Sequence, residues 1–275
     1  MGICCCCSKN YLEGGSILAE FLISNKDVEE EQTIFNPGKC GFIEGMKINL
    51  LNYQIRINGE EISTTEKYKF PKEGKYSIKY TLLKPYTEAE MLFSNCQCLS
   101  TVNLSQFYAG RIQSVKNMFS NCGSLEHVDF SGLDLKYVTN MSSLFAHCKL
   151  LKSVNFADLD LRNVVDMDEM FLNCLSLKNV IFSGVKTKIL KSMKNMFKGC
   201  ASLEEVDLSD FKAYYVEDMT RMFEDCVELK KVKFPKFNSQ IIDVKNMFQN
   251  CSKLKEKGII TKNKEIIEDY VNGVH

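Results

Sequence analysis

The side chains best suited to chemistry in this 275-residue chain are its thirteen cysteines. Four are consecutive, Cys4, Cys5, Cys6 and Cys7, in the opening "MGICCCC". Once Met1 is removed, Gly2 offers the free amine that N-myristoylation needs, and neighbouring thiols accept palmitate. The usual pattern wants Ser or Thr where this chain has Cys6, with Ser8 further along. One myristoyl chain binds a bilayer marginally, with an association constant of about 10⁴ per molar, so a stable anchor takes a second signal. Lys9 alone is no polybasic segment, whereas a palmitoyl chain on Cys4–Cys7 supplies that signal. Two other readings stand beside dual acylation: a thiolate metal or redox site, and a cysteine run without a role. Catalysis has little to work with. The three histidines, His127, His147 and His275, join no recognisable Ser/His/Asp or Cys/His set. There is no Gly-rich phosphate loop, no HExxH and no Asp-rich calcium loop. The expectation is a chain that is not an enzyme, with no cofactor, no metal and no small-molecule substrate.

Seven further cysteines are evenly spaced: Cys96, Cys122, Cys148, Cys174, Cys200, Cys226 and Cys251, in steps of 26, 26, 26, 26, 26 and 25. Three residues before each stands Phe, four before it Leu or Met, three after it Leu, and six after it Val in six of the repeats. A fixed period of this length marks a solenoid or propeller. Metal sites cluster their ligands, commonly as CxxC pairs, so one thiol per repeat is read as core, where Met and free Cys commonly pack. An odd cysteine total and no visible secretory signal favour free thiols in a reducing compartment.

The two halves of a repeat differ in period. Val164, Met167, Met170, Phe171 and Cys174 fall on one helical face. After Leu177 the pattern alternates, with Val180 inward, Ile181 outward and Phe182 inward. The spacing therefore predicts an α/β repeat: 26-residue helix–strand units that must stack to bury their apolar sides.

The motif V-x-x-M-x-x-M-F-x-x-C-x-x-L-x-x-V-x-F, over about residues 86–254, resembles the BspA-type leucine-rich repeat of bacterial surface proteins and single-celled eukaryotes. The first copy departs from it, with Tyr86 and Ala89 where others carry Val and Met. The resemblance implies a curved, leucine-rich-repeat-like right-handed solenoid that binds other macromolecules and is not itself an enzyme.

Four segments follow. Residues 1–11 read as a flexible acylated tail, 12–85 as a small β-rich capping module, 86–254 as the solenoid, and 255–275 as a C-terminal cap of strand plus short helix. Within the second, Asn58-Gly59 lies between strand-like runs, a hairpin signal.

Charge is balanced, 35 basic against 35 acidic residues, which argues against a nucleic-acid binder. A candidate partner-binding face comes from outward strand positions: Glu126, His127, Asp129, Lys152, Lys178, Ile181, Glu204, Glu205, Asp207, Lys230, Lys231 and Lys233. Three acids beside three lysines on neighbouring strands either neutralise one another or orient a partner. The expected function is a lipid-anchored, non-enzymatic protein–protein interaction scaffold at the cytoplasmic face of a membrane. The alternatives are an exported, adhesin-like surface protein and a metal or redox role for Cys4–Cys7.

Overall fold

The computed structural model describes residues 15–36, 53–83, 89–107, 111–237 and 242–272. Fifteen strands appear in the order β1 (Ser16–Ile23), β2 (Glu31–Thr33), β3 (Tyr53–Ile57), β4 (Glu60–Ile62), β5 (Lys67–Lys69), β6 (Gly74–Leu82), β7 (Leu99–Asn103), β8 (His127–Asp129), β9 (Ser153–Asn155), β10 (Asp160–Leu161), β11 (Asn179–Ile181), β12 (Lys186–Thr187), β13 (Glu205–Asp207), β14 (Lys231–Lys233) and β15 (Ile259–Ile260). Among the described residues the one α-helix is α1 (Lys264–Asn272), after the last coil.

The repeats stack, but as a β-solenoid. The helix–strand unit expected from the apolar spacing is overturned, because the segment before each Cys is a chain of turns. Two residues per coil sit in the left-handed region, one and five positions before the Cys: Asn121 (φ 62°) and Asn117 (φ 56°), Asn173 (φ 57°) and Glu169 (φ 58°), Gly199 (φ 74°) and Asn195 (φ 54°). A right-handed helix cannot pass through such residues.

Their hydrogen bonds show what the turns gain. Alternate N–H groups point to the next coil: those of Val115, Asn117, Phe119 and Asn121 donate to the carbonyls of Asn140, Ser142, Leu144 and Ala146, at 2.8–3.0 Å. The intervening N–H groups of Met118, Ser120 and Cys122 close local four-residue turns on the carbonyls of Val115, Asn117 and Phe119. An α-helix would spend all these donors within its own chain. Here half of them tie coil to coil, while the apolar side chains still share one inward face.

On the opposite side short parallel strands stack, β7 on β8, β9 on β11, and β13 on β14 on β15. A third set of contacts runs through Ser114, Asn140, Asp166, Ser192, Asp218 and Asp243, one bridge residue per coil. Short polar side chains suit that column: Asp166 and Asp218 accept the N–H two residues on, from Asp168 and Thr220, at 2.8 Å.

Inside, Phe93, Phe119, Phe145, Phe171, Phe197, Phe223 and Phe248 form one ladder, with centroids 5.3–5.9 Å apart and planes within 10° of parallel. Edge-on rings close both ends, Tyr80 on Phe93 and Tyr270 on Phe248, an arrangement that aromatic quadrupoles favour.

The N-terminal strands extend the solenoid's own sheet. β3 and β4 form a hairpin through Asn58 (φ 50°) and Gly59 (φ 92°), the two positive angles a type I′ turn requires. The order β4-β3-β6-β1-β7-β8 runs without a break into the first coils, with β1 antiparallel to β7. The Asn36 N–H donates to Leu92 O at 2.8 Å, giving that first-coil carbonyl a partner.

At the far end the last coil has N–H donors and no coil beyond it. Helix α1 supplies acceptors: Glu265 takes the Ile242 N–H, and Asp269 takes those of Asn246 and Met247, at 3.0–3.2 Å. Burial pushes the Asp269 carboxyl up, against these hydrogen bonds. Asn263 Oδ1 accepts the Ile266 N–H at 3.2 Å and caps the helix.

Candidate functional site

The cysteine series lies in the core. Cys96, Cys122, Cys148, Cys174, Cys200, Cys226 and Cys251 are buried free thiols, as is Cys98. Six of them donate S–H to the Phe carbonyl one coil back: Cys122 to Phe93, Cys148 to Phe119, Cys174 to Phe145, Cys200 to Phe171, Cys226 to Phe197 and Cys251 to Phe223, at 2.9–3.1 Å. A thiol fits where a larger side chain would not, and it gives that carbonyl a second donor. Burial pushes every thiol of the ladder up, Cys251 to about 12, and pushes Cys98 up to about 11. They stay protonated and poorly nucleophilic at neutral pH. Among the described residues no group of three or more His, Cys, Asp or Glu is arranged to hold a metal. Gly2 and Cys4–Cys7 lie outside the described residues.

The strand side carries the predicted face. His127, Asp129, Lys152, Lys178, Ile181, Glu204, Glu205, Asp207, Lys230 and Lys231 are exposed, while Glu126 and Lys233 are half-buried. The parallel register sets Glu205 beside Lys231 and Asp207 beside Lys233. Ion pairs cross between coils: Lys230–Glu204 at 2.5 Å, Lys231–Glu205 at 3.8 Å, Lys233–Asp207 at 3.1 Å, and Lys152–Glu126. The Lys230 ammonium hydrogen-bonded to Glu204 holds that carboxyl below its ordinary value, as Lys152 does for Glu126. The face therefore presents ordered charge pairs with little net field. Ile181, 46% exposed, is an apolar point among them.

A cavity of about 880 Å³ opens where this face meets the C-terminal strand, lined by Phe234, Phe237 and Ile260 together with Lys233, Lys236 and Lys262. Of these, only Lys233 belongs to the face read from outward strand positions. The others lie after β14, within β15 or after it, where the repeat pattern lapses and spacing gives no signal. An apolar floor ringed by lysines suits an apolar group that carries negative charge.

Residues 83–157 and 139–262 match the family described as "Mycoplasma protein of unknown function, DUF285". The chain belongs to that family. The two matched stretches together span the solenoid, so the DUF285 region and the stacked coils are the same part of the molecule. No curated protein and no solved structure matches the chain.

Proposed function

We propose that this protein is a non-enzymatic protein–protein interaction scaffold, held at the cytoplasmic face of a membrane by acyl chains on Gly2 and one or more of Cys4–Cys7. The observation that carries it is a division of labour within the coil. Inward columns keep one residue type, Phe, Cys or Leu, from coil to coil, while outward ones change from Asn179 and Ile181 to Glu205 and Asp207 to Lys231 and Lys233. A constant lattice bearing variable exposed chemistry is how solenoids recognise partners. The resemblance to BspA-type leucine-rich repeats supports the same reading. The cavity beside Lys233 and Ile260 is the natural seat for a partner's apolar, acidic segment. Free thiols throughout the described core suit a reducing compartment.

Mass spectrometry of the native N-terminus tests the anchor: acyl masses on Gly2 and the cysteine run are expected, and unmodified residues in a soluble protein overturn it. Affinity capture with Lys231→Glu/Lys233→Glu tests the face, since a partner recovered equally with parent and variant does not dock there. Protease treatment of intact cells separates this reading from an exported adhesin, which would be cut.

A further inference from the structure

On the strand face four of the five lysines, Lys152, Lys230, Lys231 and Lys233, have an acid partner, and among the described residues Lys178 has none. The neighbouring edge of the solenoid, leading from β12 to the bridge column, differs. Lys186, Lys188, Lys191 and Lys212 are exposed, and none makes an ion pair among the described residues. Tyr214 and Tyr215, 41% and 51% exposed, lie on the same edge one coil on. Coil register brings these residues together: the Lys212 N–H donates to Thr187 Oγ1 at 2.7 Å, and the Glu217 N–H donates to Lys191 O at 2.8 Å. Of the nearby acids, Asp160 is gripped by Arg162 through two hydrogen bonds, at 2.6 and 2.8 Å. Asp210, whose carboxylate accepts the Gly184 N–H at 2.8 Å, and Glu217 remain, against four lysines.

The chain's path gives this edge an occupant. Gly15 bridges Phe107, and the Ser16 N–H donates to Gln106 O at 2.8 Å, so the fourteen preceding residues join the molecule at the corner where β7 turns toward this edge. Phe107 heads a column that reaches Val185 and Phe211, whose next residues are Lys186 and Lys212. Four coils at about 4.8 Å separate the two ends of that column by roughly 19 Å. Fourteen residues span up to about 50 Å. A segment of that length is long enough to reach the plane of the lysine–tyrosine edge.

We propose that this edge is a second membrane contact, laying the solenoid's side on an anionic lipid surface. It rests on the proposed anchor for its orientation. Lysines near such a surface attract acidic headgroups, and tyrosines sit at the boundary between headgroup and acyl chain. One acyl chain plus a basic patch is a recognised two-signal anchor.

The test uses the full chain without its acylation sites, Gly2→Ala with Cys4–Cys7→Ser, so that the edge acts alone. It is expected to sediment with phosphatidylcholine vesicles containing phosphatidylserine and not with phosphatidylcholine alone. Changing the four lysines to Gln should weaken binding about fivefold for each lysine removed. Tyr214→Ser/Tyr215→Ser should weaken it further, while Lys152→Gln/Lys230→Gln/Lys231→Gln on the strand face should leave it unchanged. Absence of binding, or equal loss with the strand-face variant, overturns the proposal. So does tighter, lysine-dependent binding to single-stranded RNA. Should the fourfold variant melt early, Lys188→Gln/Lys191→Gln replaces it. Native protein lacking acyl groups but binding through the edge would overturn the anchor alone; acylated protein indifferent to the edge variants would overturn the edge alone.

Discussion

At the scale of single residues, the molecule depends on a thiol that donates and a backbone that turns left. Cys174→Ala deletes the S–H bond to Phe145 O and leaves a small void. It should cost about 1–2 kcal/mol by urea unfolding. The thiols also set a pH dependence. Their folded pKa values lie above those of the unfolded chain, because burial disfavours the thiolate. The folded state then binds more protons than the unfolded state above about pH 8.5, and stability falls as pH rises from there. Each fully buried thiol contributes a slope of up to about 1.4 kcal/mol per pH unit. Melting points declining between about pH 8.5 and 11, with Cys122 to Cys226 unlabelled by thiol reagents in the native protein, are expected. Asn173 (φ 57°) is a left-handed turn residue. Asn173→Val should cost about 1–2 kcal/mol in the same assay, since a branched Cβ resists that conformation.

At the scale of elements, the lesson lies in the segment from Val164 to Cys174. Its apolar spacing is truly helical, yet it forms turns. Asn95, Asn121, His147, Asn173, Gly199, Asp225 and Asn250 stand immediately before the seven cysteines. All are among the types that best tolerate positive φ, and this was the signal against helix. Spacing alone cannot weigh it, because a chain of turns and a short helix project the same side chains inward. The ends follow from the ladder's direction. Asp269→Ala removes the acceptor for two N–H groups of the last coil. About 2–3 kcal/mol should be lost, and hydrogen exchange should quicken first at Asn246 and Met247.

For the whole molecule, the ring ladder makes neighbouring coils depend on one another. Phe197 stacks between Phe171 and Phe223 at 5.3 and 5.4 Å. Phe197→Ala should cost about 3–5 kcal/mol, and the urea transition should broaden if the two halves then unfold separately. An unchanged midpoint would contradict the inward ladder. The N-terminal strands belong to this cooperative unit, because β1 pairs with β7 along one continuous sheet.

The period of 26, the inward columns of Phe, Cys and Leu, and the need for coils to stack could all be read from the amino acids. Each is a matter of which side chains recur, and burial acts on side chains. Tertiary structure decided where the backbone donors go. Whether the N–H of Phe119 bonds within its own segment or to Leu144 in the next coil depends on the partner chain segment being 2.9 Å away. That choice separates helix from turn. It also brought Lys186, Lys212 and Tyr214 to one edge, since residues 26 apart become neighbours only when coils lie in register.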